Sequence, residues 1–159
     1  MSLLNYTTTI KAEKTANEIT TILVKGGARQ IMSEFNEKGE VSGVSFSVMT
    51  TLGMAGFTLP VKEGHVEAVM RKDRKMPQRF KTREQARNVA WRITKDWLEA
   101  QMALIETEMV TLDQVMLPYM RSVDGGTLYE SYVAGHKLQP ALALPVGTQT
   151  TNNEGETND

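Results

Sequence analysis

From Ala12 the apolar positions recur at steps of three and four, through Ala16, Ile19, Ile22 and Leu23. That period puts them on one face of an amphipathic helix, expected to end near Lys25, where Gly26-Gly27 permits a left-handed cap. Ahead of it, Asn5-Tyr6-Thr7-Thr8-Thr9-Ile10 is rich in aromatic and β-branched residues, and Tyr6, Thr8 and Ile10 alternate as on one face of a strand. After it the period shortens to two. Ile31 to Phe35 and Val41 to Met49 read as a hairpin turning at Asn36-Glu37-Lys38-Gly39, with Val44, Phe46 and Val48 facing the core. A third strand, Ala55 to Val61, contains Pro60, which cannot donate a ladder hydrogen bond and so marks an edge or an end.

Helical spacing returns at Val66, Val69 and Met70, in a short helix expected to stop at Pro77. Thr82-Arg83-Glu84-Gln85 has the form of a capping box and opens a long helix from Arg83 to about Glu108. This helix carries two apolar arcs. Ala86, Val89, Ala90, Ile93, Trp97, Ala100 and Leu104 form one, and Trp91, Leu98, Met102 and Ile105 the other, which is more than a single contact stripe needs. The second arc is expected either to meet a short helix at Leu112 to Met120 or to form the contact of a homo-oligomer, with Trp91, Leu98, Met102 and Ile105 as its residues.

Beyond Arg121, Asp124-Gly125-Gly126 reads as a turn, Thr127 to Val133 as one short element and Leu138 to Val146 as an apolar strip. Residues 147–159 hold no apolar anchor besides the methyls of threonine and are expected to be disordered. The expected class is α+β: an N-terminal strand and helix, a three-stranded antiparallel meander, a long helix packed on the sheet and a short C-terminal helix. Residues 1–121 would form a single domain, 122–146 a partly ordered extension and 147–159 a tail.

Charge changes this picture most. Between Arg71 and Lys95 stand ten basic residues (Arg71, Lys72, Arg74, Lys75, Arg79, Lys81, Arg83, Arg87, Arg92 and Lys95) against Asp73 and Glu84, while the whole chain carries a formal charge of -1. Segregated cations of this kind attract polyanions, which points to nucleic acid, DNA or RNA, or to an acidic protein surface. Arg71, Lys72, Arg74, Lys75, Arg79, Lys81, Arg83 and Arg87 are the candidate nucleic-acid contacts.

Other chemistry is sparse. There is no cysteine, so disulfides, thiol nucleophiles and thiolate metal ligation are excluded. His65 and His136 stand far apart with no recognisable acidic or hydroxyl partner, and each reads as an ordinary surface residue. Glu106, Glu108 and Asp113 match no metal-ligand spacing. No cofactor, metal or enzymatic activity is expected. No signal-like or membrane-spanning apolar run is found, and the sequence reads as a soluble, cytoplasmic protein.

Two resemblances add to this reading. Leu3-Leu4-Asn5-Tyr6-Thr7-Thr8, the stretch from Arg83 to Gln101 and Leu117-Pro118-Tyr119-Met120 resemble a family of small phage and prophage proteins of Gram-positive hosts. That resemblance implies an accessory protein of the host-cell cytoplasm, serving phage replication or blocking a host defence factor, with an acidic host protein as the alternative partner of the basic segment. The order helix, three strands, helix from Ala12 to Gln101, with the basic opening of the last helix, is also similar to the double-stranded RNA-binding domain. It implies that Arg83 and Arg87 reach phosphates across a groove. Glu84 stands where that family is usually basic, and Lys62 to Lys81 is an insertion relative to it.

Overall fold

A computed structural model of the chain describes residues 2–135. The chain is α+β: helix α1 (Ala12–Lys25), strands β1 (Gln30–Phe35), β2 (Val41–Thr50) and β3 (Gly53–Thr58), then helices α2 (Glu63–Lys72), α3 (Arg83–Glu106), α4 (Leu112–Met116) and α5 (Leu128–Gly135). The strands form one antiparallel sheet in the order β1-β2-β3. Register follows the period-two pattern: Phe46 faces Ile31 on one side and Phe57 on the other, and the Phe46 and Phe57 rings stack with centroids 5.4 Å apart. Val44, Phe46 and Val48 are buried, as their alternation requires.

Helices α1 and α3 lie side by side and point the same way. The start of α1 meets the start of α3, where Asn88 Oδ1 accepts the Ala12 amide at 2.9 Å, and Gly26, just past the end of α1, lies against Met102. Between these points Glu13 pairs with Arg87 and Glu18 with Arg92. The inner arcs of both helices join the sheet in one cluster containing Ile19, Leu23, Val44, Phe46, Val48, Phe57, Trp91 and Leu98. The long helix thus packs along α1, and its Trp91 and Leu98 reach the cluster formed with the sheet.

Helix α1 ends as its glycines allow. Gly27 takes φ +95°, its amide donates to Val24 and the next amide, of Ala28, donates to Leu23, which is a Schellman cap. Helix α3 ends with the same two bonds, from Glu108 to Ile105 and from Met109 to Leu104, so the helix stops at Glu106 instead of continuing to Glu108. Here the left-handed residue is Glu108, at φ +60°.

Several expectations need correction. Residues 5–10 form no strand: Tyr6 and Thr8 donate back to Leu3 and Asn5 in turns, Asn5 takes φ +62°, and the Tyr6 and Thr8 carbonyls are taken by the Gln85 side chain at 2.8 and 2.9 Å. The Thr82–Gln85 capping box is therefore half made. Thr82 accepts the Gln85 amide, but the Gln85 side chain serves the N-terminal segment. A complete box occurs instead at Thr111–Gln114. Strand β3 ends at Thr58, two residues before Pro60, although Leu59 is buried beyond it. Helix α2 stops at Lys72, well before Pro77, because Asp73 leaves helical geometry and its carboxylate accepts the Lys75 amide at 2.8 Å.

The first half of the second arc of α3 is covered within the chain. Trp91 and Leu98 are fully buried, so neither is available as an oligomer contact; α4 folds back with Met116 buried in the same cluster, and Met102 and Ile105 border a surface groove with Ile22, Gly26 and Glu106. Met120 bridges to Phe57 and Arg121 donates to the Gly56 carbonyl at 2.8 Å, after which a turn at Gly125 and Gly126 leads into α5. No helix among the described residues is long and apolar enough to cross a membrane. His136, the strip Leu138 to Val146 and the polar tail lie outside the described residues.

Candidate nucleic-acid interface

The fold divides the ten cations into two groups. Arg71 pairs with Glu67, Arg87 with Glu13 and Glu63, Arg92 with Glu18, and Lys95 with Glu99 and, at longer range, Asp96. Lys72, Arg74, Lys75, Arg79, Lys81 and Arg83 make no ion pair among the described residues. All six lie between the end of α2 and the first turn of α3, with Asp73 the one acid among them.

This connection is a series of turns on buried anchors. The Met76 amide donates to the Asp73 carbonyl at 3.4 Å, and Pro77 opens a 3-10 turn over Gln78–Phe80 in which Phe80 and Lys81 donate back to Pro77 and Gln78. Met70 is fully buried and Met76 is 6% exposed; both pack with Ala86 and Val89 of α3, against Tyr6, Val66, Phe80 and Ile93. The apolar residues interleaved with the cations therefore point inward, while Lys72, Arg74, Lys75, Arg79 and Arg83 are exposed and Lys81 is half-buried. Arg79 lies 4.8 Å above the Phe80 ring, a cation–π contact that limits the freedom of a long side chain while leaving its charge accessible.

Arg87, expected to contact phosphate, does not face solvent. Its side chain is 6% exposed, and its guanidinium donates to Glu13 at 2.7 Å and to the Val41 carbonyl at 2.9 Å. Its Nε lies 3.4 Å from Glu63 Oε1, the atom that also accepts from Trp91 Nε1 at 2.9 Å. These bonds join α1, β2, α2 and α3, so Arg87 holds the fold together. Glu13 titrates below its ordinary value, chiefly through its backbone hydrogen bond and, against the opposing effect of burial, through Arg87.

Arg83 stands apart from the rest of the exposed set. It borders a cleft of about 320 Å³ with Lys11, Lys38, Arg87 and Asn88, in which Glu13, Glu40 and Glu84 offset most of the positive charge. Glu84 pairs with Lys11, and Glu40 titrates below its ordinary value, first because the Asn36 side chain donates to it. The positive surface is accordingly the segment from Lys72 to Lys81, with Arg83 at its margin.

The remaining candidates are dispersed. Phe46 and Phe57 are core, Tyr6 meets the Phe80 ring edge-on, and Phe35 is exposed at the far edge of β1, so these rings form no shared surface on which bases could stack. His65 is exposed on α2. Asp113 accepts from Thr51 at 3.0 Å and titrates below its ordinary value, first through Thr111 and then through Thr51. Among the described residues no group of three or more His, Asp or Glu is placed to hold a metal ion.

Two residues central to this frame were missed in the sequence, Glu63 and Asn88. The signal for Asn88 was available: with Arg87 it interrupts the apolar run of Ala86, Val89, Ala90 and Trp91, and polar residues on a buried arc need fixed partners. No family model, curated protein or solved structure matches the chain.

Proposed function

We propose that the chain is a non-enzymatic, phage-type accessory protein that binds nucleic acid through Lys72, Arg74, Lys75, Arg79 and Lys81, with Arg83 at the margin. One observation carries this reading: of the ten cations between Arg71 and Lys95 in a chain of almost balanced charge, the fold holds four in ion pairs and leaves six, without one among the described residues, on a single anchored connection. Unpaired lysines and arginines release counterions when they meet phosphates, and holding them on a turn already fixed by Met70 and Met76 lowers the entropy cost of binding. The lack of an exposed aromatic set beside them favours recognition of backbone over stacking on bases. Of the two contacts that the resemblance to double-stranded RNA-binding domains implies, Arg83 alone is exposed, and the other proposed contacts lie on the segment inserted before it.

The test is a salt titration of the full chain against duplex DNA, duplex RNA and single strands of equal length. Log affinity is expected to fall linearly with log salt, at about 0.9 per phosphate neutralised on B-form DNA. Absence of binding to every probe at low salt would overturn the reading and favour an acidic host protein, such as a defence factor, as the partner of the same surface.

A further inference from the structure

We propose that the free edge of β1 is the contact of a two-fold homodimer, in which two three-stranded sheets join through antiparallel pairing of β1 with β1. The two edges of the sheet differ. Outside β3, the Arg121 amide donates to Gly56, Met120 bridges Phe57, and the Arg121 side chain crosses Gly56 to donate to Thr58 at 3.1 Å. Outside β1 no strand pairs among the described residues. Of the usual protections of an edge, β1 carries one charge, Glu34, but no proline and no lysine, and the irregularity opposite Glu34 and Phe35 lies in β2, where Ser42 is the extra residue. Met32 is 52% exposed and Phe35 64% exposed along it.

The strand is complementary to itself in one register. An axis through Met32, perpendicular to the sheet, keeps the two faces of both copies aligned, because it pairs residues of like parity. Met32 then meets Met32 of the second copy, Ile31 meets Ser33, Gln30 meets Glu34 and Arg29 meets Phe35. The Gln30 carbonyl oxygen already accepts from Ser47, which leaves its amide N–H groups to donate to the second copy's Glu34, a carboxylate with no ion pair among the described residues. The Arg29 guanidinium falls on the second copy's Phe35 ring. Moving the axis to Ser33 sets Glu34 against Met32, and moving it to Ile31 sets Glu34 against Ala28, so neither alternative keeps the polar match. Beside the edge, Glu13, Ala16, Asn17 and Thr20 of α1 line a groove of about 160 Å³ with Ser33 and Phe35. This inference stands independently of the nucleic-acid reading.

The absence of cysteine makes the register directly testable. In this pairing the two Met32 Cα atoms are directly opposed, about 4.5–5.5 Å apart, within the about 4.4–6.8 Å that a disulfide spans. The two copies of Gln30 are four residues out of register, about 13 Å apart. Mild oxidation is therefore expected to link Met32→Cys into a covalent dimer and to leave Gln30→Cys unlinked. Sedimentation of the unmodified chain is expected to show a dimer, and Met32→Lys to weaken it at least tenfold with an unchanged circular dichroism spectrum. A chain that stays monomeric at high micromolar concentration, or equal cross-linking of the two cysteine variants, would overturn the proposal.

Discussion

Trp91 Nε1 donates to Glu63 Oε1 across 2.9 Å, which fixes the first turn of α2 to the middle of α3. Arg87 Nε faces the same oxygen at 3.4 Å and has no hydrogen-bond partner of its own. With both helices held, and with Met70 and Met76 buried between them, the basic connection is presented on a fixed frame. We predict that Glu63→Ala, which leaves the indole nitrogen without an acceptor and removes the carboxylate beside the buried Arg87 Nε, destabilises the chain by about 1.5–3 kcal/mol. Glu63→Gln, which keeps an acceptor for Trp91, should cost less. Denaturant titration checks both, and equal stability of the three chains would mean that this oxygen holds nothing in place.

The N-terminal segment depends on one side chain. Gln85→Ala removes both bonds to the Tyr6 and Thr8 carbonyls, for an expected loss of about 1–2 kcal/mol. Because these bonds hold residues 6–8 and not the sheet, hydrogen exchange should accelerate there and in α3's first turn, with the β2 amides protected as before. Uniform acceleration would show that the segment is part of the global core.

Glu108 occupies the position that glycine fills at the end of α1. A non-glycine residue in the left-handed region costs about 1–2 kcal/mol, part of which glycine returns through its greater freedom in the unfolded chain. Glu108→Gly is therefore expected to stabilise by somewhat under 1 kcal/mol and to raise the melting temperature by about 2 °C. A lower melting temperature would mean that the Glu108 side chain makes a stabilising contact outweighing its backbone strain.

Acid should weaken the α1–α3 pair. The Glu13 carboxyl titrates below its ordinary value of 4.5 in the folded chain, so its contribution is complete above that pH and is lost as pH falls through the lower folded value. Glu40 and Asp113 shift in the same direction. Thermal melts from pH 6 to pH 2 should show stability falling below about pH 4.5, with a shallower fall in Glu13→Gln. Parallel curves for the two chains would remove Glu13 from the account.

Elements set by periodicity over many residues were legible in the sequence. The apolar spacing of α1, the alternation around Val44, Phe46 and Val48, and the Thr82 start of α3 depend on local pattern and appear where that pattern puts them. What was not legible depends on partners distant along the chain. The Tyr6–Thr8 run has β propensity but finds no strand to pair with, and Gln85 takes its carbonyls instead. Trp91 and Leu98 read as a spare arc because nothing local reveals that α1 and α4 close over them together with the sheet.

The same limit applies to the candidate interface. Its position was visible as a density of lysine and arginine, but membership was not, since Arg87 and Arg83 look alike in sequence and differ by a turn of helix. That turn places Arg87 against Glu13 and Glu63 and leaves Arg83 outside. Met70 was legible as an apolar position of a short helix, whereas Met76, also buried beneath the cations, reads in sequence only as a gap between charges.

The most direct test of the central claim replaces Arg74, Lys75, Arg79 and Lys81 together by serine and measures nucleic-acid affinity as a function of salt. None of the four forms an ion pair among the described residues, so the melting temperature should change little. Affinity at about 50 mM salt should fall by at least tenfold, and the salt slope should shrink by about 0.9 for each phosphate of B-form DNA that the variant no longer neutralises. A folded variant that binds as tightly as the parent chain, with the same slope, would contradict the assignment of nucleic-acid binding to this segment.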